Sequence, residues 1–397
     1  MRLLIASAYD PINQMHGQGV IIRNTLVAAA DLGLQLSIGL SLFRDGARAN
    51  TQREVEGRVL NVEHSQLAAE LSRGSMIRSL FRFPLTRVEK EYLRHTATIA
   101  SRYDALLWFG SPYDPVTHHI AKAVRCPVVY HATDSVMLHE ERRVGHGAYV
   151  RRAIAACMEE MALERGGFAA SIYVGAADVA HVKQLITKEN RAKIIYLPNG
   201  VNVDIFYPRT NKNSRRPTIL FAGSMCYAPN IQAAIRLVRE ILPLLRSQPM
   251  VRIVGHSPTP KVIELADSTK GRVVVTGRVD DISIEYGNAD LLVAPIEMGA
   301  GIQNKVLEAL ASGVPVVTSP LVAAGMSGEI PGVYVCRTLH EYAKIIDHLL
   351  SSERLRQDSG AAGRAHIKKC LTWKKRTLQL IELLGAILQK PLPKAEK

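Results

Sequence analysis

Leu291-Leu292-Val293-Ala294-Pro295 and Pro315-Val316-Val317-Thr318 are apolar runs of strand length, and Ile302 to Ala311 between them has the periodicity of a helix. Gly299-Ala300-Gly301 opens that helix, Gly313 supplies the left-handed residue that stops it, and Pro315 begins a fresh extended segment. The stretch Ala289 to Val317 therefore predicts one βαβ unit with a glycine-rich elbow. A helix N-terminus presents unpaired N–H groups and about half a positive charge, and glycines let a ligand approach the backbone closely, so the natural guest of the elbow is a phosphate.

Lys305 falls in the first turn of that helix, where a cation opposes the macrodipole unless an anion is bound. At about 100° per residue, Asn304, Lys305 and Glu308 share a polar arc, and Ile302, Val306, Leu307, Ala309 and Leu310 cover the other side. The spacing allows two readings, a ligand-facing arc or a solvated face of an ordinary amphipathic helix. The Gly-Ala-Gly turn favours the first.

With 397 residues the chain exceeds the size at which one core keeps growing, so two domains are expected. Five cysteines, scattered and with no C-x-x-C pair or histidine cluster beside them, fit a reducing cytosol and do not fit structural zinc. Met1 to Ser7 is too short for a signal-peptide core and reads as a first buried strand, and no apolar stretch reaches the roughly 20 residues of a membrane span. A net charge of +14 implies anionic partners. Its densest basic stretch carries Arg73, Arg78, Arg82, Arg87, Lys90 and Arg94 among Met76, Ile77, Leu80, Phe81, Phe83 and Leu85, a pattern open to a membrane surface or to plain solvation. Nucleic acid is disfavoured, because aromatics are only 6% and no stacking pattern accompanies the charge.

Strand-like and helical runs alternate along the chain. Expected strands in the first half are Arg2 to Tyr9, Leu34 to Leu42, Arg58 to Glu63, Ala105 to Phe109, Pro127 to Tyr130, Ser171 to Val174 and Ile194 to Leu197, with helices at Val20 to Leu32, Val88 to Ala100 and Arg151 to Glu164. A polar, proline-bounded break at Tyr207 to Pro217 precedes a second series, Thr218 to Ala222, Val251 to Val254, Val273 to Thr276, Leu291 to Pro295, Pro315 to Thr318 and Val333 to Cys336. The fold class is α/β, two Rossmann-like doubly wound parallel sheets facing across a cleft, with ligands expected at the carboxyl ends of the strands. The expected division is an N-terminal domain over 1–198, a hinge over 199–217, a nucleotide-sugar-binding domain over 218–372 and a C-terminal helix over 373–390 packing back toward the first domain.

These residues resemble the GT-B-fold glycosyltransferases of the family 4-like group, glycosyl transferases group 1, in the branch linked to exopolysaccharide and cell-envelope sugar transferases. Leu197-Pro198-Asn199-Gly200 through Pro208 is similar to that family's hinge, Ile219 to Gly223 to its first nucleotide-domain strand, and Thr276-Gly277-Arg278-Val279 to the turn that reads the base. Gly299 to Val317 resembles the donor-binding block. The resemblance implies donor contacts at Gly17, Gly19, Gly223, Val279, Gly299, Ala300, Gly301, Ile302, Lys305 and Glu308, the last on the ribose hydroxyls. Pro127-Val128-Val129-Tyr130-His131-Ala132-Thr133-Asp134 resembles the family's strand ending in a histidine and, shortly after, an aspartate, which makes His131 and Asp134 the catalytic or sugar-binding candidates. The sequence departs from the pattern where Ser224 replaces a diphosphate-binding arginine, where Pro229-Asn230 stands near a lysine's place, and where Ala300 replaces the first of two glutamates. Lys305 is the residue left to carry the diphosphate.

The implied reaction moves a sugar from a nucleotide diphosphate sugar to a hydroxyl acceptor, whether glycan, lipid-linked or small molecule, with retention implied by the resemblance. It needs no cofactor or metal, in keeping with the absence of a D-x-D pair. The location implied is cytoplasmic, with the inner face of the membrane as a peripheral site. Two rivals stay open, a nucleotide-sugar epimerase of the same fold and a catalytically silent nucleotide-binding scaffold. A dehydrogenase is disfavoured by the lack of a G-x-G-x-x-G after any strand.

Overall fold

A computed structural model describes residues 1–7, 17–33, 37–42, 51–55, 58–64, 84–142, 147–209, 216–267, 269 and 271–389. The chain divides into two compact units, one made of Met1–Pro198 with Trp373–Lys397, the other of Asn199–Thr372.

The first unit holds an eight-stranded sheet in the order β3-β4-β2-β1-β5-β6-β7-β8. Its strands are β1 (Arg2–Ser7), β2 (Ser37–Leu42), β3 (Thr51–Val55), β4 (Arg58–His64), β5 (Ala105–Phe109), β6 (Val128–Thr133), β7 (Ala170–Tyr173) and β8 (Ile194–Tyr196). Strand β1 pairs in parallel with β2 on one side and β5 on the other, so chain order reverses between β1 and β5. Near-continuous apolar runs such as Leu106-Leu107-Trp108 are buried, as expected of a parallel sheet covered on both faces. One core face carries Leu4, Ala6, Leu106, Trp108, Val128 and Tyr130 from alternate positions of three neighbouring strands. Two expectations change. The polar segment Thr51–Val55 is a strand paired antiparallel with β4, giving the parallel sheet an antiparallel edge; its residues carry no apolar alternation that would have marked it. Strand β6 also runs three residues beyond Tyr130, to Thr133.

The helix Trp373–Leu388 belongs to this unit and packs on the helix Gly17–Asp31 through a stripe in which Leu380, Ile381 and Leu384 are buried. The helix Arg87–Ala100 begins at a capping box, where Thr86 accepts from the Glu89 amide and the Glu89 carboxylate accepts from the Thr86 amide.

The second unit holds a six-stranded parallel sheet in the order β11-β10-β9-β12-β13-β14. These strands are β9 (Thr218–Ala222), β10 (Met250–Val254), β11 (Val273–Gly277), β12 (Leu291–Ala294), β13 (Val316–Thr318) and β14 (Val333–Val335). Chain order reverses between β9 and β12, which makes the carboxyl ends of those two strands the switch point of the sheet. The segment after Pro198 is tied to this unit: Val201 bridges to Thr372, and the Arg364 guanidinium donates to the carbonyls of Val203, Phe206 and Ala311.

Candidate functional site

At the switch point of the second sheet, β12, an irregular elbow, the helix Asn304–Ala311 and β13 form the βαβ unit anticipated from Ala289 to Val317, with β12 and β13 in parallel register. Gly299 and Gly301 hold φ of 110° and 73°, which admit glycine at little cost. At the far end Gly313 has φ 71°, its amide donates to the Leu310 carbonyl and the Val314 amide to the Ala309 carbonyl, the paired bonds of a Schellman stop. Gln303 occupies the N-cap and makes no side-chain hydrogen bond to the first turn.

Lys305 is the second residue of this helix and is buried, so its arc is not a solvated face. Its ammonium donates to Asn230 Oδ1 at 2.7 Å and lies 4.7 Å from the centre of the Phe221 ring. Asn230 Nδ2 in turn donates to the Ser224 carbonyl at 2.9 Å. Burial pulls the Lys305 ammonium down to about 7, opposed by the charge of Glu308. Gly223 follows β9 directly with φ 153°, and a Cβ there would stand 3.0 Å from the Lys305 Nζ and 2.7 Å from Asn230 Nδ2. Only a residue without a side chain leaves room for this lysine.

The rest of the arc is also engaged. Tyr286, fully buried, donates its hydroxyl to Glu308 Oε2 at 2.7 Å, and burial raises the Glu308 carboxyl while the Tyr286 hydrogen bond and Lys305 lower it. Asn199 Nδ2 donates to Asn304 Oδ1 at 2.9 Å. Ala300 and Ile302 are each 8% exposed, and Val279 is half-buried in the loop that follows β11. Gly223, Lys305 and Glu308 thus gather with Gly299 to Ile302 around one helix start. Phe221 and Tyr286 are members that sequence reasoning did not single out, and Asn230, which it placed only near a missing lysine, is the partner of Lys305.

In the first unit a cavity of about 460 Å³ opens at the carboxyl ends of β5 and β6. Gly17, Gln18, Ser111, Thr133, Asp134 and His139 are among its lining residues. Asp134 is pushed up to about 7, by burial first and then by the nearby carboxylates of Asp178 and Glu159. Glu159 is itself pushed up to about 7 by burial, while accepting from Ser135 Oγ at 2.7 Å, the Met137 amide at 3.1 Å and Tyr173 Oη at 3.0 Å. Asp178 accepts from the Ser135 amide at 2.7 Å.

The expected contact of the His131 side chain with a donor sugar meets a different arrangement: the imidazole has no exposed surface and is not part of that cavity's wall. It stacks on Phe109 with ring centres 4.4 Å apart and takes a hydrogen bond from Arg376 at 2.8 Å. The glycine pair also differs from a loop, since Gly17 opens the helix Gly17–Asp31 and lines the cavity whereas Gly19 is buried inside the first turn. Of the basic stretch, Arg73, Arg78 and Arg82 lie outside the described residues; Arg87, Lys90 and Arg94 are exposed on the helix Arg87–Ala100. Among the described residues no helix is long and apolar enough to cross a membrane.

Residues 216–352 match the family model described as Glycosyl transferases group 1. No curated protein sequence matches the chain. Among solved structures, a sucrose-phosphate synthase from Thermosynechococcus elongatus superposes with a TM-score of 0.76 at 15% identity, over 98% of this chain and 99% of that one. A glycosyltransferase from Rickettsia africae gives 0.70 at 15% identity, over 98% and 99%. Anabaena HepE, solved in complex with UDP and glucose, gives 0.70 at 14% identity, over 97% and 100%. Such identities establish the fold, and the family match is confined to the domain that spans β9 to β14. The chain therefore carries a domain of the glycosyl transferases group 1 family at residues 216–352 and has the GT-B fold along its length.

Proposed function

We propose that this enzyme takes its sugar from a nucleotide diphosphate sugar and passes it to a hydroxyl acceptor with retention at the anomeric carbon. The observation that carries the reading is the Lys305 ammonium, buried in the first turn of a helix whose N-cap side chain makes no hydrogen bond to that turn, at the switch point of the family domain. A leaving diphosphate needs its charge neutralised, and a lysine beside oriented N–H dipoles supplies that in a site with little water to screen it. Lys305 and Asn230 take over the work of the missing arginine and lysine. Glu308, held by Tyr286 through Oε2, keeps Oε1 for the ribose hydroxyls. HepE was solved with UDP and glucose, which agrees with a donor of this class.

On the acceptor side the reading assigns the 460 Å³ cavity, with Asp134 as the carboxyl that meets the incoming hydroxyl. A carboxyl held near neutral pH can accept or release a proton there. His131 supports this wall from behind.

Incubation with uridine, guanosine and deoxythymidine diphosphate sugars should release nucleoside diphosphate from one of them. Conversion of the sugar without release would mean an epimerase instead, and no turnover of any donor by the parent would favour a silent scaffold. Lys305→Met should weaken donor binding at least tenfold, about 1.4 kcal/mol; unchanged affinity removes the lysine from the site. We also read the exposed Arg87, Lys90 and Arg94 as a contact for an anionic bilayer, to be checked by co-sedimentation with acidic liposomes after reversal of these charges. Equal pelleting of parent and variant rejects that contact.

A further inference from the structure

Arg376 lies in the helix Trp373–Leu388 with 3% exposure, and its polar partners are neutral: Thr25 Oγ1 at 3.0 Å and His131 Nε2 at 2.8 Å. The guanidinium sits 5.6 Å from the centre of the Trp373 ring, and among the described residues its Nε has no partner and no carboxylate pairs with it. A buried cation without a carboxylate is costly, and an apolar side chain of similar volume would fill the same space more cheaply. Packing of the helix therefore does not account for it.

What the guanidinium touches does. An arginine only donates, so His131 Nε2 must accept, and the ring proton then resides on Nδ1. Nδ1 stands 3.5 Å from Thr133 Oγ1, at the outer limit of a hydrogen bond. Thr133 has φ 69°, and the Asp134 amide donates back to the Ala132 carbonyl at 3.0 Å. Those two facts describe a three-residue γ-turn of the rare, strained hand, centred on a β-branched residue. Strain of that kind persists only where the surroundings over-determine it. Thr133 and Asp134 line the cavity, and His131 and Arg376 stand behind the turn.

We propose that Arg376 is a positioning residue for the acceptor cavity: it fixes His131 as the Nδ1–H tautomer and, through that imidazole, holds the strained Thr133 turn that presents Asp134 to the acceptor. The assignment of the cavity to the acceptor rests on the proposed function; the tautomer and the clamp do not. Burial first, and then the Arg376 charge, hold His131 well below its ordinary value, so the imidazole stays neutral. Arg376 is the charged group acting on it among the described residues; Phe109 from β5 and Thr133 from β6 are neutral neighbours, as is Thr25 from the helix Gly17–Asp31 on the arginine's other side. Arg376 itself is lowered by burial to about 9 and keeps its charge at neutral pH.

The test is side-chain nitrogen NMR on the full-length protein labelled in histidine, with His131→Asn to assign the signal, together with kinetics of Arg376→Met and Arg376→Lys. The parent should show Nδ1 protonated, Nε2 bare and no titration between about pH 5 and 9. Arg376→Met should give a mixture of tautomers and at least a tenfold loss in kcat/KM for the acceptor, with donor affinity within twofold; Arg376→Lys should recover a third or more of the loss. A purely structural arginine would lower the melting temperature of both variants without separating acceptor from donor. A parent His131 that carries its proton on Nε2, or that titrates in this range, overturns the proposal, and so does a folded Arg376→Met enzyme with unchanged acceptor kinetics. Should the parent transfer no sugar, the proposed function fails while the NMR still decides the clamp.

Discussion

Lys305 holds an ammonium in the protein interior with an amide oxygen as its hydrogen-bond partner, and this sets the pH response expected of the proposed donor site. Burial lowers the lysine's pKa to about 7. A bound diphosphate favours the charged form, so the value in the complex is higher and binding takes up a proton between the two. Affinity for the donor is then level below about pH 7 and falls as pH rises above it, by at most tenfold per pH unit, until the value in the complex is reached. Calorimetric titration of an intact sugar nucleotide, whose diphosphate has no ionisation in this range, in buffers of different ionisation heat should show that uptake. Lys305→Met should flatten the profile; a profile equally steep in parent and variant assigns the proton elsewhere. The residue types at this site were legible, because a lysine at a helix start and a glutamate on the same face follow from spacing. Its partners were not. Asn230 meets Lys305 across 75 residues and Arg376 meets His131 across 245, and no local pattern encodes either meeting.

At the scale of elements, β9 ends where the lysine begins to need space. Gly223 combines a φ of 153° with a Cβ position already claimed by Lys305 and Asn230. Gly223→Ala should cost about 1–3 kcal/mol in stability and weaken donor binding several-fold. Thermal melting with and without nucleotide checks both, and a variant as stable and as tight as the parent would mean the strand end has room to spare. The helix Asn304–Ala311 was readable in type, start and stop, since the glycines on either side act through local backbone conformation. Strand β3 was not, because Thr51-Gln52-Arg53-Glu54-Val55 at the sheet edge carries no apolar alternation. The γ-turn at Thr133 was invisible for the opposite reason, as a β-branched residue in the left-handed region runs against its own preference.

For the whole molecule, the last helix belongs with the chain's beginning. Trp373, Leu380, Ile381 and Leu384 are buried in the first unit, and at about 1.5–3 kcal/mol per side chain they contribute roughly 6 kcal/mol or more. That is a large share of a typical domain's stability. A chain cut after Thr372 should lose the cooperative melting of the first unit and keep nucleotide-dependent stabilisation of the second. Two intact transitions in calorimetry would count against this dependence.

Alternating apolar runs and helical periods, with glycine and proline between them, were enough to determine two α/β sheets and the glycine-rich elbow, because each of those signals acts over a few residues of backbone. Which side chains complete the sites was decided only by the tertiary structure. It alone brings the far end of the chain against His131 and buries Lys305 beside Asn230, and burial is what moves their proton affinities. Desolvation depends on everything packed around a group, and that information is not held by any one stretch of sequence.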